Sequence, residues 1–214
     1  MIEMLNMDCM DYMATLPDKA FQLAIVDPEF GIGIGNSPRL VTDKGMQAKS
    51  WDDKPIDPLY FTELFRVSEN QIIWGGNYYA LPASKHCVIW DKLQPEALSF
   101  GMFDYAWTSF IGSNKIFRLS ARSESNSFHP TAKPVALYKW LLSRYAKPGD
   151  RILDTHGGSG SICVACHDLG YDLTWMELDK DYYDAACERY LIHASQAQLF
   201  QPEPAPKPKE SSLF

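Results

Sequence analysis

The chain has 214 residues, with 27 acidic and 20 basic side chains and a formal net charge of −7. That length holds one α/β domain with a full core and little else. The acidic balance excludes a broadly basic nucleic-acid-binding surface, so any phosphate contact must rest on local Lys and Arg. Apolar residues at 46% are ordinary for a globular protein, whereas aromatics at 13% exceed the needs of a small core and suit a pocket that meets a planar ligand. The five cysteines are odd in number and scattered, which gives no disulfide framework. Cys163 and Cys166 form a CxxC inside an apolar helical stretch and read as small core residues, because no second ligand pair accompanies them. The chain shows no signal peptide and no apolar run of membrane-spanning length, so a reduced cytoplasm is expected.

In chain order, residues 2–7 form a short apolar strand, Asp8 follows, and residues 10–16 read as a helix that Pro17 stops. Residues 23–26 are a continuous apolar run, the signature of a strand buried on both faces. That run ends in Asp27-Pro28-Glu29-Phe30 and a loop with Gly31, Gly33 and Gly35. Residues 36–57 are polar and loop-like, carrying Arg39, Lys44, Lys49 and Lys54. A helix is expected over 58–67, then strands over 72–74, 88–90, 103–110 and 115–119, and a Ser-rich loop over 120–128 with Arg122. Pro134 suits a first helical position, and Leu137, Leu141, Leu142 and Tyr145 make the buried stripe of the helix it opens. A turn at Pro148-Gly149-Asp150 leads into a strand over 151–153, then Asp154, a glycine-rich turn and a helix ending at Gly170. A strand over 173–176 ends at Glu177, and residues 181–193 form the last helix. From Gln201 onward Pro, Lys, Glu and Ser dominate, so residues 201–214 are expected to be a disordered tail behind a single domain of residues 1–200.

Strands alternating with helices imply a mostly parallel sheet covered on both faces, and such sheets bind ligands beyond the carboxyl ends of their strands. Asp8, Asp27, Asp154 and Glu177 each follow an apolar strand, so they would gather along one sheet edge. One acid there could be a helix cap; a set of them suits a ligand bearing amines and hydroxyls.

Asp154-Thr155-His156-Gly157-Gly158-Ser159-Gly160-Ser161 joins a strand to a helix. Its glycines let the backbone approach a ligand, and the helix N-terminus offers free N–H groups. Dinucleotide enzymes share this layout, but the third glycine of their fingerprint would fall at Cys163 and Asp154 would repel a pyrophosphate. Asp154 suits a cationic amino-acid ligand such as S-adenosylmethionine, and Glu177 is placed to accept hydrogen bonds from ribose hydroxyls. Asp27-Pro28-Glu29-Phe30 suits the other half of a methyl transfer. An exocyclic amine on a base is a poor nucleophile because its lone pair is delocalised into the ring. A carboxylate and a main-chain carbonyl accepting its N–H groups localise that pair, an aromatic ring holds the base by stacking, and the base must first be flipped from the duplex. The donor is already activated, so no metal is needed.

Here the chain resembles the β-group of DNA amino-methyltransferases, which act on N6 of adenine or N4 of cytosine and carry the catalytic motif ahead of the cofactor motif. Asp27-Pro28-Glu29-Phe30 resembles that family's DPPY, and His129-Pro130-Thr131-Ala132-Lys133-Pro134 matches its HPTxKP segment. The 154–161 turn resembles its DPFxGSGT, Met176-Glu177-Leu178-Asp179 its ribose-binding strand end, and Asp8 the acid that contacts the cofactor adenine. The match spans most of residues 1–193 in the family's order. It implies an α/β, Rossmann-like methyltransferase fold with a mostly parallel seven-stranded sheet flanked by helices and a small inserted target-recognition region, about residues 36–57 and 94–128. It implies catalysis by Asp27, Pro28, Glu29 and Phe30. It implies that S-adenosylmethionine, leaving as S-adenosylhomocysteine, is held by Asp8, Asp27, His129, Thr131, Lys133, Asp154, His156, Gly158, Ser159, Gly160, Glu177 and Asp179, with no metal. The implied partner is DNA, in a bacterial or phage-encoded protein that is a monomer or homodimer.

Two departures stand out. Glu29 replaces the second proline of DPPY, and Thr155-His156 replaces Pro-Phe in the cofactor turn. Asp27 rather than Ser favours adenine as a family tendency. N4 of cytosine, an RNA substrate, a non-catalytic DNA- or cofactor-binding homologue and a nucleotide-dependent oxidoreductase remain the alternatives. Lys115, Arg118 and Arg122 are candidate phosphate or base contacts. Among the tryptophans, Trp51, Trp74, Trp90 and Trp107 read as core, Trp51 least so. Gln196-Ala197-Gln198-Leu199-Phe200 resembles the QLxLF-type peptide that docks on bacterial sliding clamps, with Ala197 as a departure.

Overall fold

The strand β1 (Ile2–Leu5), helix α1 (Cys9–Ala14) and strand β2 (Phe21–Val26) open a computed structural model that describes residues 1–37, 48–97, 101–121, 123 and 128–199. Arg39, Lys44, Arg122 and the 201–214 tail lie outside the described residues, as do Phe200 and the side chains of 197–199 in the clamp-like peptide. After β2 come α2 (Leu59–Val67), β3 (Ser68–Trp74), β4 (Cys87–Asp91), β5 (Phe103–Thr108) and β6 (Lys115–Arg118). The chain continues through α3 (Val135–Tyr145), β7 (Arg151–Asp154), α4 (Ser161–Leu169), β8 (Asp172–Met176) and α5 (Lys180–Leu199).

The strands form one sheet of eight in the order β1-β8-β7-β2-β3-β5-β4-β6. The expected mostly parallel α/β sheet is present, with one strand more than seven, because the short segment β6 docks in parallel register along β4. Among the described strands β5 alone runs against its neighbours, β3 and β4. The apolar runs of β2 and β3 are continuous because successive side chains serve opposite faces, both covered. Leu23 and Ile25 join the core beneath α3 and α4 with Ile72, Trp74, Leu137 and Leu141. Ala24 and Val26 point to the other core with Ile73, Tyr60, Leu64 and Met13 from α1 and α2.

Helix α3 begins one residue later than the sequence reading placed it, since Pro134 is extended at ψ 147° and caps the helix rather than joining it. Its buried residues are Leu137, Tyr138, Leu141 and Leu142, with Tyr145 packed at the margin. Helix α4 ends at Gly170, whose left-handed φ of 75° lets its N–H reach back to the last carbonyls. Cys163 and Cys166 are fully buried on α4, as core residues would be. Helix α5 runs beyond the expected stop at residue 193, to Leu199. No described helix is long and apolar enough to cross a membrane.

Parallel neighbours β7 and β2 pair Ile152 with Leu23 and Leu153 with Ala24, so their carboxyl ends lie side by side. Strands β8 and β1 continue the same edge, pairing Met176 with Leu5. This arrangement collects the turns that begin at Asp27, Asp154, Glu177 and Asp8.

Candidate active site

A cavity of about 1480 Å³ opens where those turns meet. It exceeds the roughly 300–1,000 Å³ of a pocket for one small molecule, and suits two ligands set end to end. The 27–30 turn, the 155–159 turn, Asp8, Glu177 and residues 129–133 all line it.

At the target end, Asp27 is split in function. Its Oδ2 forms an ion pair with Lys133 Nζ, while its Oδ1 is buried without a hydrogen-bond partner. Burial raises the Asp27 carboxyl above its ordinary value, with Lys133 opposing the shift. Lys133 is itself buried and lies 5.1 Å from the Trp74 ring centroid. The resemblance gave Lys133 to the cofactor; the fold aims it at Asp27. Tyr79 OH donates to the carbonyls of Pro28, at 2.8 Å, and Glu29, at 3.2 Å. A carbonyl has two lone pairs, so Pro28 keeps one for a second donor.

Buried Asp52 accepts from the backbone N–H groups of Phe30 at 2.8 Å, Gly31 at 2.9 Å and Ile34 at 2.9 Å, which ties the loop after the catalytic turn into a fixed shape. Phe30 stacks on Tyr78 with centroids 4.8 Å apart and planes 8° from parallel. Gly75 must lack a side chain, because a Cβ there would fall 2.1 Å from the Phe30 ring. The aromatic wall is thus a pair, Phe30 with half-exposed Tyr78.

At the cofactor end, Glu177 Oε2 accepts from Gly158 N at 2.8 Å and Oε1 from Asp179 N at 2.8 Å. A carboxylate has about four acceptor positions, so Glu177 can shape the turn and still take hydroxyl donors. Asp154 accepts from His156 N at 3.1 Å, and burial raises its carboxyl to about 7. Neither Asp154, Gly160 nor Asp179 is part of the cavity wall. Asp179 instead caps α5, accepting from Asp181 N and Tyr182 N, and pairs with Lys49 at 2.6 Å. Asp8 caps α1, accepting from Met10 N at 2.8 Å, and lines the cavity. His129 stands edge-on to Tyr182 at 4.4 Å and 5.6 Å from Trp51. Burial, reinforced by Lys133, lowers the His129 imidazole to about 3, so it is neutral. Thr131 Oγ1 lies 3.4 Å from His129 Nδ1. Ser159 is buried, with Oγ 3.0 Å from Ser161 Oγ at the start of α4.

Gly157 is the tightest point of the turn. A Cβ there would lie 1.8 Å from the Trp175 indole, which is fully buried and cannot yield. Gly157→Ala is expected to cost about 1–3 kcal/mol or more by overpacking, read as a Tm lower by roughly 2–4 °C for each kcal/mol. An unchanged Tm would show that Trp175 does not pin the turn.

Asp52, Tyr78 and Tyr79 are the site residues that the sequence reading passed over. Each is recognisable only through a partner distant in sequence, and none belongs to a motif. Of the four tryptophans read as core, Trp74, Trp90 and Trp107 are buried, whereas Trp51, the one read as least so, is only partly buried and lines the cavity, which Trp74 and Trp90 also reach.

A family model described as DNA methylase, of the N6/N4 methyltransferase type, matches residues 41–188. YubD of Escherichia coli (strain K12), a protein whose name assigns it as a methylase, is 24% identical over 203 residues, covering 85% of this chain and 87% of YubD. The crystal structure of the M1.HpyAVI–SAM complex superposes with a TM-score of 0.60 at 18% identity, covering 88% of this chain and all of that one (100%). PvuII DNA methyltransferase, titled cytosine-N4-specific, superposes with a TM-score of 0.61 at 12% identity, covering 94% of this chain and 93% of that one. With the family matched across most of the chain, its fold shared and its two turns facing one cavity, this protein belongs to the N6/N4 DNA methylase family.

Proposed function

We propose that the chain transfers the methyl group of S-adenosylmethionine to N6 of an adenine flipped out of DNA. The observation that carries this reading is Asp27: one carboxylate oxygen is fixed by Lys133 and the other is buried, unpartnered and at the cavity wall. A buried acceptor left open costs free energy unless a ligand donates to it, and an exocyclic amine is such a donor. S-adenosylmethionine supplies a methyl carbon already activated by its sulfonium. Asp27 Oδ1 and the Pro28 carbonyl accept the two N–H groups of the amine and draw its lone pair out of the ring plane toward that carbon. The carbon–sulfur bond breaks as the nitrogen–carbon bond forms, and the surplus amine proton leaves along the hydrogen bond to Asp27. Phe30 and Tyr78 give the base an aromatic wall.

The cofactor fits the opposite end. Glu177 and Asp8 offer carboxylates to hydroxyls and amines, His156 and Ser159 line the wall, and Gly158 brings its backbone close. Lys92, on the cavity wall, is paired with Asp104 at 2.6 Å, Lys49 with Asp179 and Arg118 with Asp91 at 3.4 Å, which leaves exposed Lys54 as a candidate for phosphates. Asp27 at the head of the catalytic turn supports adenine. Cytosine N4 is the second reading, supported by the shared fold of the PvuII enzyme.

Incubation of the protein with methyl-labelled S-adenosylmethionine and unmethylated duplex DNA, followed by nucleoside mass spectrometry, tests both. N6-methyladenine is expected, N4-methylcytosine would establish the second reading, and no methylated nucleoside would overturn both. For the cofactor, Glu177→Gln is expected to weaken S-adenosylmethionine binding by about 1–3 kcal/mol, measured by calorimetry. Unchanged affinity would remove Glu177 from the ribose role.

A further inference from the structure

The two departures from the family pattern meet in space. Glu29, in the place of the second proline of the catalytic turn, has its Oε2 3.3 Å from Nε2 of His156, which stands in the place of the aromatic residue of the cofactor turn. Both side chains are largely buried, at 25% and 14% exposure. The rest of the His156 ring is held as well. Its Nδ1 lies 2.9 Å from Thr155 Oγ1, that hydroxyl lies 2.6 Å from Tyr60 OH, and the Tyr60 ring stands edge-on to the imidazole at 5.1 Å. On the other side, the Glu29 backbone carbonyl accepts from Ile56 N at 3.2 Å and from Tyr79 OH.

We infer that Glu29 and His156 are a pair of positioning residues, a charged clamp that fixes the catalytic turn against the cofactor turn and so sets the reach from the bound base to the methyl donor. The inference rests on the methyltransferase reading above. Sheet register fixes β2 against β7 only as far as the strands run, and the reacting groups sit on the turns beyond. Where the resembled motifs carry a proline and an aromatic residue, this chain sets a carboxylate and an imidazole 3.3 Å apart. Reacting atoms must be held about 3–3.5 Å apart, and an error of about 1 Å costs on the order of 100-fold in rate.

The charges are consistent with the geometry. Burial raises the Glu29 carboxyl, but His156 outweighs it and leaves Glu29 below its ordinary value. Burial lowers the His156 imidazole, but Glu29, and after it Asp154 and Glu177, raise it above its ordinary value. Asp27 also faces His156, and Cys9, Tyr60 and Tyr79 face Glu29. The clamp is therefore closed above the depressed Glu29 value and opens as pH rises through the elevated His156 value.

The test combines NMR of labelled histidine with a double-substitution cycle. In the wild-type protein His156 is expected to titrate above the ordinary imidazole range, and in Glu29→Gln to fall back by at least one pH unit. Glu29→Gln and His156→Phe are each expected to lower kcat about 10- to 100-fold, with S-adenosylmethionine affinity in Glu29→Gln within about threefold of wild type. The double variant Glu29→Pro/His156→Phe, which rebuilds an apolar seam, is expected to recover most of the lost kcat, the non-additivity that marks coupled residues. The alkaline limb of the wild-type pH profile should vanish in that double variant. An unshifted His156 in Glu29→Gln would overturn the clamp whatever the kinetics show. So would a double variant as slow as the product of the single losses, or a Glu29→Gln loss that falls equally on cofactor affinity. A wild-type protein that transfers no methyl group would instead overturn the methyltransferase reading, and the clamp's positioning role with it.

Discussion

Asp27→Asn is expected to cut methyl transfer on the order of 100- to 1,000-fold, the scale seen when one preorganised polar group facing developing charge is lost. Asparagine keeps the size and one acceptor oxygen, but it cannot draw off the amine proton as positive charge builds on the nitrogen. The interaction strengthens as the bond forms, so its loss falls on kcat rather than on ground-state binding. S-adenosylmethionine affinity should stay close to wild type, because Asp27 ends β2 whereas Glu177 and the 155–159 turn end other strands. DNA affinity should hold or rise slightly, since one negative charge near the phosphates is removed. Single-turnover kinetics beside calorimetric binding separates these effects. Full activity, or cofactor binding lost as in a Glu177 variant, would place the catalytic acceptor elsewhere.

Lys133→Met is expected to produce a loss of comparable size by a different route, together with a loss of stability. Lys133 and Asp27 are a buried pair, the lysine side chain 3% exposed and the aspartate 19%. Removing one member leaves the other charge uncompensated, at a cost of about 3–5 kcal/mol when the site is fully dry; the residual exposure of Asp27 places the expectation at about 2–3 kcal/mol. Burial already raises the Asp27 carboxyl, and Lys133 is the charge that opposes it. Without Lys133 the carboxyl rises further and takes up a proton. The sign follows directly. A carboxyl raised in the folded state favours folding while protonated, and that contribution is lost as pH climbs through the folded value. The variant should therefore lose stability with rising pH more steeply than wild type, while its residual activity, which needs the carboxylate, climbs toward alkaline pH. Asp27→Asn/Lys133→Met should regain much of the stability and none of the activity. Denaturant melts across a pH series, with rates measured alongside, check both halves. A variant as stable and as fast as wild type at neutral pH would show that the pair bears on neither folding nor catalysis.

Much of this architecture was legible in the sequence because its signals are local. Runs such as 23–26 declare doubly buried strands, Gly170 marks a helix end, and the turns at 27–30 and 154–161 are contiguous. The antiparallel course of β5 was not legible, since an apolar run carries no sign of direction. Nor was the full length of α5, whose last turns are polar in sequence and lack an apolar stripe. At the site, Asp8 and Asp179 carry the residue types that caps share with ligand contacts, and only geometry separates those uses. Asp52 sits in a polar loop among other acids, yet among the described acids of that loop it alone is buried, with backbone donors converging on it. Lys133 lies within a motif whose resemblance directed it to the cofactor, whereas its partner is Asp27, just past the end of the β2 strand that pairs with β7.

That pairing also governs when the site can exist during synthesis. The strand made first, β1, finds its hydrogen-bonding partner only in β8, and the catalytic turn meets the cofactor turn only once β7 has docked beside β2. On a ribosome, the emerging N-terminal half can form β2, α2 and β3, but β1 stays without its strand partner until residue 176 has cleared the exit tunnel. Contacts of such long sequence separation form late and slowly. A nascent polypeptide therefore lacks the assembled pair of turns until β7 has been made, and a chain that stops ahead of β8 has neither the partner strand of β1 nor Glu177.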